Sequence, residues 1–252
     1  MVFDGEELLE FAAKSIRQNI DFISVTYQTT SYFGNPANPN LEPLLGRLKD
    51  IGLIDKLIYF EPDLSLHHKE NELKLRNLGL QASKDAGCSH HISADVDELY
   101  HPDELEVAKQ IMENGDYNYS IAPSFIYYKD PTFQVYPNQN LMISFIHRID
   151  NEYMRNKEFP FKIEETRRFK ICVKPRVLTK DELTIHHMSY VRKDIRKKLH
   201  NSDNGQFYKL NKFFDNFDTY RIGDRVCLIP DFMNRKTISV PNYFNIHFQE
   251  DT

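Results

Sequence analysis

Between residues 6 and 18 the apolar side chains fall at Leu8, Leu9, Ala12, Ala13 and Ile16, a spacing that lines one face of a helix. Residues 22–27 are mostly β-branched or aromatic and predict a strand. Gly34-Asn35-Pro36 and Pro39 then interrupt the pattern as a loop. A second helix is expected over residues 41–51, a strand over 56–60 and a third helix over 69–86, with Gly87 as its cap. Residues 90–94 read as a short strand feeding Asp95-Val96-Asp97-Glu98. Pro102-Asp103-Glu104 then open another helix, with acids in its first turn.

The second half reads differently. Residues 117–128, 133–136, 141–149, 168–177 and 183–191 are strand-like and rich in aromatics, followed by helical stretches at 192–199 and 206–217. Strand and helix in alternation predict an α/β fold with a mostly parallel, doubly wound sheet flanked by helices. No repeat or Gly/Ser linker divides the chain, so a single domain is expected. Residues 1–120 would form its nucleotide-binding half and residues 121–252 an irregular acceptor half. In open sheets of this kind ligands sit beyond the carboxyl ends of the strands, where Asp95 and Asp97 fall.

Composition narrows the class. The chain has 252 residues, is 40% hydrophobic and carries a net charge of −5, enough for one sizeable core and neither disordered nor basic overall. No apolar run approaches a membrane span, and Asp4, Glu6, Glu7 and Glu10 interrupt any leader-like stretch. Three widely spaced cysteines (Cys88, Cys172 and Cys227) suit a reducing compartment. The expectation is a cytoplasmic protein, of a cell or of an infected host cell. The charge is uneven: residues 166–200 hold eleven Lys/Arg against three acids, a local +8 that attracts phosphates.

Asp95-Val96-Asp97 carries the candidate chemistry. If the segment is extended, side chains two apart point the same way, so the two carboxylates can converge on one hard cation, Mn²⁺ or Mg²⁺. Such an ion neutralises the charge of a departing nucleoside diphosphate. The surrounding residues, Arg76, Asn77, Gly79, Ala82, Ala86 and Gly87 ahead of Asp95 and Asp97, resemble the donor-binding half of glycosyltransferases with the GT-A fold. That resemblance implies a Rossmann-like sheet and a nucleotide-sugar donor, most simply a UDP-sugar. It places Asp95 near ribose and metal, Val96 beside them, Asp97 on the metal, and Arg76 and Asn77 toward the nucleotide. Tyr27 and Thr29 would line the base pocket.

Farther on, Ile185-His186-His187-Met188-Ser189-Tyr190 and Lys198-Leu199 are similar to a late pattern of some protein-glycan N-acetylglucosaminyltransferases. The resemblance implies that His187 closes the metal shell. Glu164, Glu165 and Asp130 are candidates for the acceptor's general base. The acceptor implied is a glycan or glycoprotein; the basic segment also permits a hydroxymethylated base in viral DNA. A metal-dependent nuclease or nucleotidyltransferase, and a binding module without catalysis, are the competing classes. His67, His68, His90, His91 and His101 match no closed zinc set, and no nucleophile elbow or Gly-rich phosphate loop occurs.

Overall fold

The apolar stripe at Leu8, Leu9, Ala12 and Ala13 is the buried face of α1 (Glu6–Arg17). The computed structural model describes residues 1–137, 142–155, 158–202, 205–206, 210–229 and 235–248. β1 (Ser24–Tyr27) pairs in parallel with β2 (Lys56–Tyr59), and α2 (Leu41–Asp50) between them buries Leu41, Leu45 and Leu48. α3 (His68–Asp85) follows, and Gly87 beyond its end takes a left-handed φ of 77° that glycine reaches without strain. β3 (His90–Ile92), β4 (Glu98–Leu99) and α4 (Pro102–Asn114) complete the first half.

β5 (Tyr119–Tyr128) is the hub of the molecule, with nine of its ten residues buried. A single residue, Lys129 at φ 68°, separates it from β6 (Asp130–Tyr136), so the two can only form an antiparallel hairpin. β5 also pairs antiparallel with β7 (Met142–Arg148) and parallel with β8 (Pro175–Val177) and β9 (Ile185–Tyr190). β10 (Arg225–Val226) and β11 (Arg235–Ser239) extend the β6 edge, β3 extends the β7 edge, and β4 pairs with β9.

These pairings correct the expected fold class. The protein is mixed α/β, but a nine-stranded, largely antiparallel sheet dominates, and the wholly parallel sheet has only two strands. The mostly parallel, Rossmann-like GT-A sheet is therefore not the architecture. The reason is local. The single residue between β5 and β6 forces an antiparallel hairpin, β7 also runs antiparallel to β5, and only β8 and β9, which follow a long connection, lie parallel to it.

Of the strand expected over residues 168–177, only Pro175–Val177 forms, besides an isolated bridge from Phe169 to Tyr153. Leu141 and residues 207–209 of the expected second-half elements lie outside the described residues. The described helix there is α6 (Asn211–Thr219), preceded by α5 (Ile195–His200). Phe213 and Phe217 of α6 pack with Tyr128, Tyr190 and Tyr220 into an aromatic core on the β5–β6 side. Among the described residues no helix is long and apolar enough to cross a membrane, and none of the three cysteines forms a disulfide.

Candidate functional site

Asp95 to Glu98 form a tight turn, the Glu98 amide donating to the Asp95 carbonyl at 3.1 Å. This differs from the extended stretch expected, so the two aspartates are placed by a turn and not by strand alternation. The next residues anchor it: Glu98 lies opposite His187 in the β4–β9 pair, and the Met188 amide donates to the Asp97 carbonyl at 2.7 Å. That register brings His187 Nε2 to 3.5 Å from Asp97 Oδ1. His186, on the opposite face, instead has Nδ1 2.6 Å from the Tyr127 hydroxyl.

Arginines hold the acids. The 3₁₀ turn Glu165–Arg167 delivers Arg167, whose Nη2 donates at 2.6 Å to both Asp95 Oδ2 and Glu98 Oε1. Arg76 reaches from α3, donating to Glu72 at 2.8 Å, to Ser93 at 3.0 Å and to Asp95 Oδ1 at 3.4 Å. Arg192 donates to Asp97 Oδ2 at 2.6 Å. Burial alone would raise the pKa of Asp95 and Asp97. The guanidiniums of Arg167 and Arg76, and His187 with Arg192, outweigh it and hold both carboxyls below the usual range. Glu98 is raised by its burial, which Arg167 opposes. For His187, burial works downward but Asp97 prevails and raises it.

A cavity of about 230 Å³ opens on this turn. Asp95, Asp97, Arg192 and Lys198 line it on one side, and Asp4, Gln28, Ser31 and Tyr32 on the other. Lys198 Nζ donates to the carbonyl and hydroxyl of Ser189, both at 3.0 Å, and its burial lowers its pKa. Among the described residues, Arg192 Nε and Nη1 and Gln28 Oε1 are buried without a hydrogen-bond partner. Unpaired buried groups of this kind cost stability and are used where a ligand completes them. Gln28 was not anticipated from the sequence, and Arg167 and Arg192 entered only as members of the basic run at 166–200, without their pairing to Asp95, Glu98 and Asp97.

The other expected residues are placed elsewhere. Tyr27 donates to Glu42 at 3.2 Å and packs edge-on against Tyr59, while Thr29 sits 3.3 Å from the Tyr59 hydroxyl. Neither lines the cavity. Both ends of the Asn77 amide are taken by the Tyr153 backbone. Arg76 is fully buried behind Asp95, so it fixes that carboxylate and does not face the cavity. Glu164 joins Lys69 at 2.8 Å and Arg76 and Arg167 at 3.4 Å, which hold it at about 2 against its burial. Glu165 pairs with Arg155, and Asp130 accepts from Thr132 in the β5–β6 turn. None of the three lines the cavity.

Among the described residues no three His, Cys, Asp or Glu side chains form a ready metal shell. Asp97 and His187 nevertheless fit a small divalent ion. Their facing atoms stand 3.5 Å apart. Neighbouring ligands with ~2.1 Å bonds at right angles lie about 3 Å apart. Val96 is buried between the aspartates and packs toward Gly5. About half of the basic segment is paired: besides Arg167 and Arg192, Lys170, Lys174, Arg176 and Arg196 each pair with an acid. Comparison of the chain with models of known protein families and with curated proteins finds no match.

Proposed function

We propose that this protein is a glycosyltransferase that moves a sugar from a nucleotide donor, a UDP-sugar, to an acceptor hydroxyl. The observation that carries the reading is Asp97, which faces His187 and lines a cavity together with Asp95, Arg192 and Lys198. Carboxylate and imidazole together would hold Mn²⁺ or Mg²⁺, with Asp95 adding charge from the same turn. A bound cation would supply neutralisation of the charge on the departing diphosphate.

The chain's own groups supply the rest. Asp97 is held ionised, with Arg192 on one oxygen and His187 facing the other, so a cation would take the place of Arg192. Arg192 has two unpaired N–H-bearing nitrogens and is the group best suited to take up a phosphate oxygen once it leaves Asp97. Lys198 adds a second positive charge at the same wall. Gln28 offers an unpaired amide oxygen to a donor N–H or hydroxyl on the nucleoside.

The pairing of about half of the 166–200 basic residues with acids favours a small phosphate donor over a long polyanion, so the acceptor we propose is a glycan or glycoprotein hydroxyl, not DNA. The test is release of nucleoside diphosphate from a panel of nucleotide sugars with Mn²⁺, repeated with Asp97→Asn. Release that Asp97→Asn abolishes supports the reading. Incorporation of nucleotide would move the protein to nucleotidyl transfer, and failure to bind any donor would leave a module without catalysis.

A further inference from the structure

Asp4 and Gly5 stand immediately ahead of α1, and Gly5 brings the backbone there close to Arg192. An atom added at Gly5 would lie 3.1 Å from Arg192 Cζ and 3.2 Å from its Nη2. Asp4, the preceding residue, is half-buried and lines the same cavity as Asp97, Arg192 and Lys198.

One contact seats the Arg192 side chain. Its Nη2 donates to Asp97 Oδ2 at 2.6 Å, while Nε and Nη1 are buried without a hydrogen-bond partner. The backbone on either side is pinned. The Val191 amide donates to the Met188 carbonyl at 3.0 Å, and the Lys193 amide donates to Glu7 Oε1 at 3.1 Å. Arg192 therefore leaves Asp97 by a side-chain movement, with its backbone in place. A buried guanidinium without a carboxylate is strongly disfavoured, so that movement needs a second acceptor within reach.

Among the described residues three carboxylates line the cavity, those of Asp4, Asp95 and Asp97. Asp95 is already held by Arg167 and Arg76, and Glu7 outside the cavity is engaged by the Lys193 amide. Asp4 remains. Arg192 is the strongest positive charge acting on it and Lys198 the next, with Asp97 and Glu7 opposing them. Burial nevertheless prevails and raises the Asp4 pKa, whereas Asp97, in direct contact with Arg192, is lowered. Asp4 thus stands close to the guanidinium without holding it.

We propose that Asp4 is a positioning residue for the transfer: it receives Arg192 when the guanidinium gives up Asp97, and so seats Arg192 at the cavity wall for the donor's diphosphate. This inference rests on the cation site at Asp97 proposed above. No covalent bond changes in the exchange. One carboxylate partner is swapped for another, and the remaining N–H groups of the guanidinium stay available to a phosphate oxygen. Pairing also offsets the burial of Asp4, so the loss of one ion pair is matched by the gain of another.

The test is a double-mutant cycle on the full chain, with Mn²⁺ alone as the probe and paramagnetic resonance of free Mn²⁺ as the readout. Asp4→Asn should weaken Mn²⁺ binding by a factor about ten times larger in the parent than in the Arg192→Gln protein, where no guanidinium has to be seated. Asp4→Glu keeps the carboxylate and should restore most of the loss. Equal factors in the two backgrounds would overturn the proposal, because Asp4 would then act only as one more negative charge. Metal-free Asp4→Asn should unfold in urea at the parent midpoint or above it, since a poorly solvated charge has been removed. A lower midpoint would make Asp4 a carboxylate that the fold needs, and would overturn the proposal as well. A parent protein that binds no Mn²⁺ would refute the cation site and this inference with it, whereas binding without coupling refutes only the role of Asp4.

Discussion

Arg167 Nη2 lies 2.6 Å from Asp95 Oδ2, across 72 residues of sequence, and the same nitrogen lies 2.6 Å from Glu98 Oε1. One buried guanidinium therefore fixes both ends of the turn that carries the candidate site. Removing it would leave Glu98, whose side chain is 1% exposed, buried without a cation, held only by the Asp95 amide and the Tyr100 hydroxyl. Arg167→Met should destabilise the protein by about 3–5 kcal/mol, the range for breaking one side of a buried ion pair. Arg167→Lys should recover part of this, since one ammonium cannot reproduce the fork. Urea unfolding of the three proteins measures it. A loss no larger than that of a surface substitution would mean the turn is held by something else.

At the other end of the turn, Arg192 and His187 share Asp97. If Arg192 stands where a cation would bind, neutralising it should help the cation and hinder the donor. Arg192→Gln is expected to tighten Mn²⁺ binding about tenfold, the effect of one nearby charge at the high effective dielectric of a site open to water. It should weaken binding of a nucleoside diphosphate by a comparable factor. Asp97→Asn should abolish Mn²⁺ binding. Paramagnetic resonance of free Mn²⁺ and calorimetry with UDP give the two affinities. Mn²⁺ binding that Arg192→Gln leaves unchanged would remove Arg192 from this role.

The nearness of His187 to Asp97 was anticipated through a resemblance, and the two acids stood out as a pair around one valine, although a turn and not an extended stretch places them. Their partners did not stand out. Arg167 and Arg192 reach the turn through a 3₁₀ turn and the end of β9, and nothing local separates them from the other basic residues at 166–200. Gln28 was passed over for its neighbours Tyr27 and Thr29, because which neighbour faces a ligand depends on how a strand end is seated. The helices followed from their apolar stripes. Sheet order did not, since β5 reads as an ordinary apolar run and nothing in it encodes four partners.

Three buried histidines contribute to the acid side of the stability profile. Burial lowers His147 to about 4 and His186 to about 3, with His101 adding to the second, and burial with His147 beside it holds His91 well below its ordinary value. In the unfolded chain all three titrate near about 6.5. The stability they contribute is complete above that value and falls as pH drops, because the unfolded state takes up protons that the folded state refuses. His187 has the opposite sign, its raised pKa giving stability that is lost as pH rises through it. The net slope between about pH 6 and about pH 5 should be positive, at most ~1.4 kcal/mol per unit for each buried histidine. Urea unfolding across that range measures the slope, and His147→Gln and His186→Gln should each flatten it. A slope that neither variant alters would assign acid sensitivity to His91 or the carboxylates instead.

Gly5 ties the backbone to the same site. It caps α1 at φ 79°, and a Cβ there would stand 3.0 Å from Val96 Cγ1 and 3.1 Å from Arg192 Cζ. Gly52 has nearly the same conformation, φ 76°, with nothing within 4 Å of the added atom. The pair separates conformational cost from contact. Gly52→Ala should lose about 1 kcal/mol, the penalty of a left-handed φ for a residue with a Cβ. Gly5→Ala should lose about 1–3 kcal/mol more, because the added methyl overpacks the space between Val96 and Arg192. It should also weaken nucleoside diphosphate binding, since Arg192 must move, whereas Gly52→Ala should leave that binding alone. Equal stability losses for the two variants would mean that Arg192 yields without resistance, and that its seat against Asp97 is not set by the close approach of Gly5.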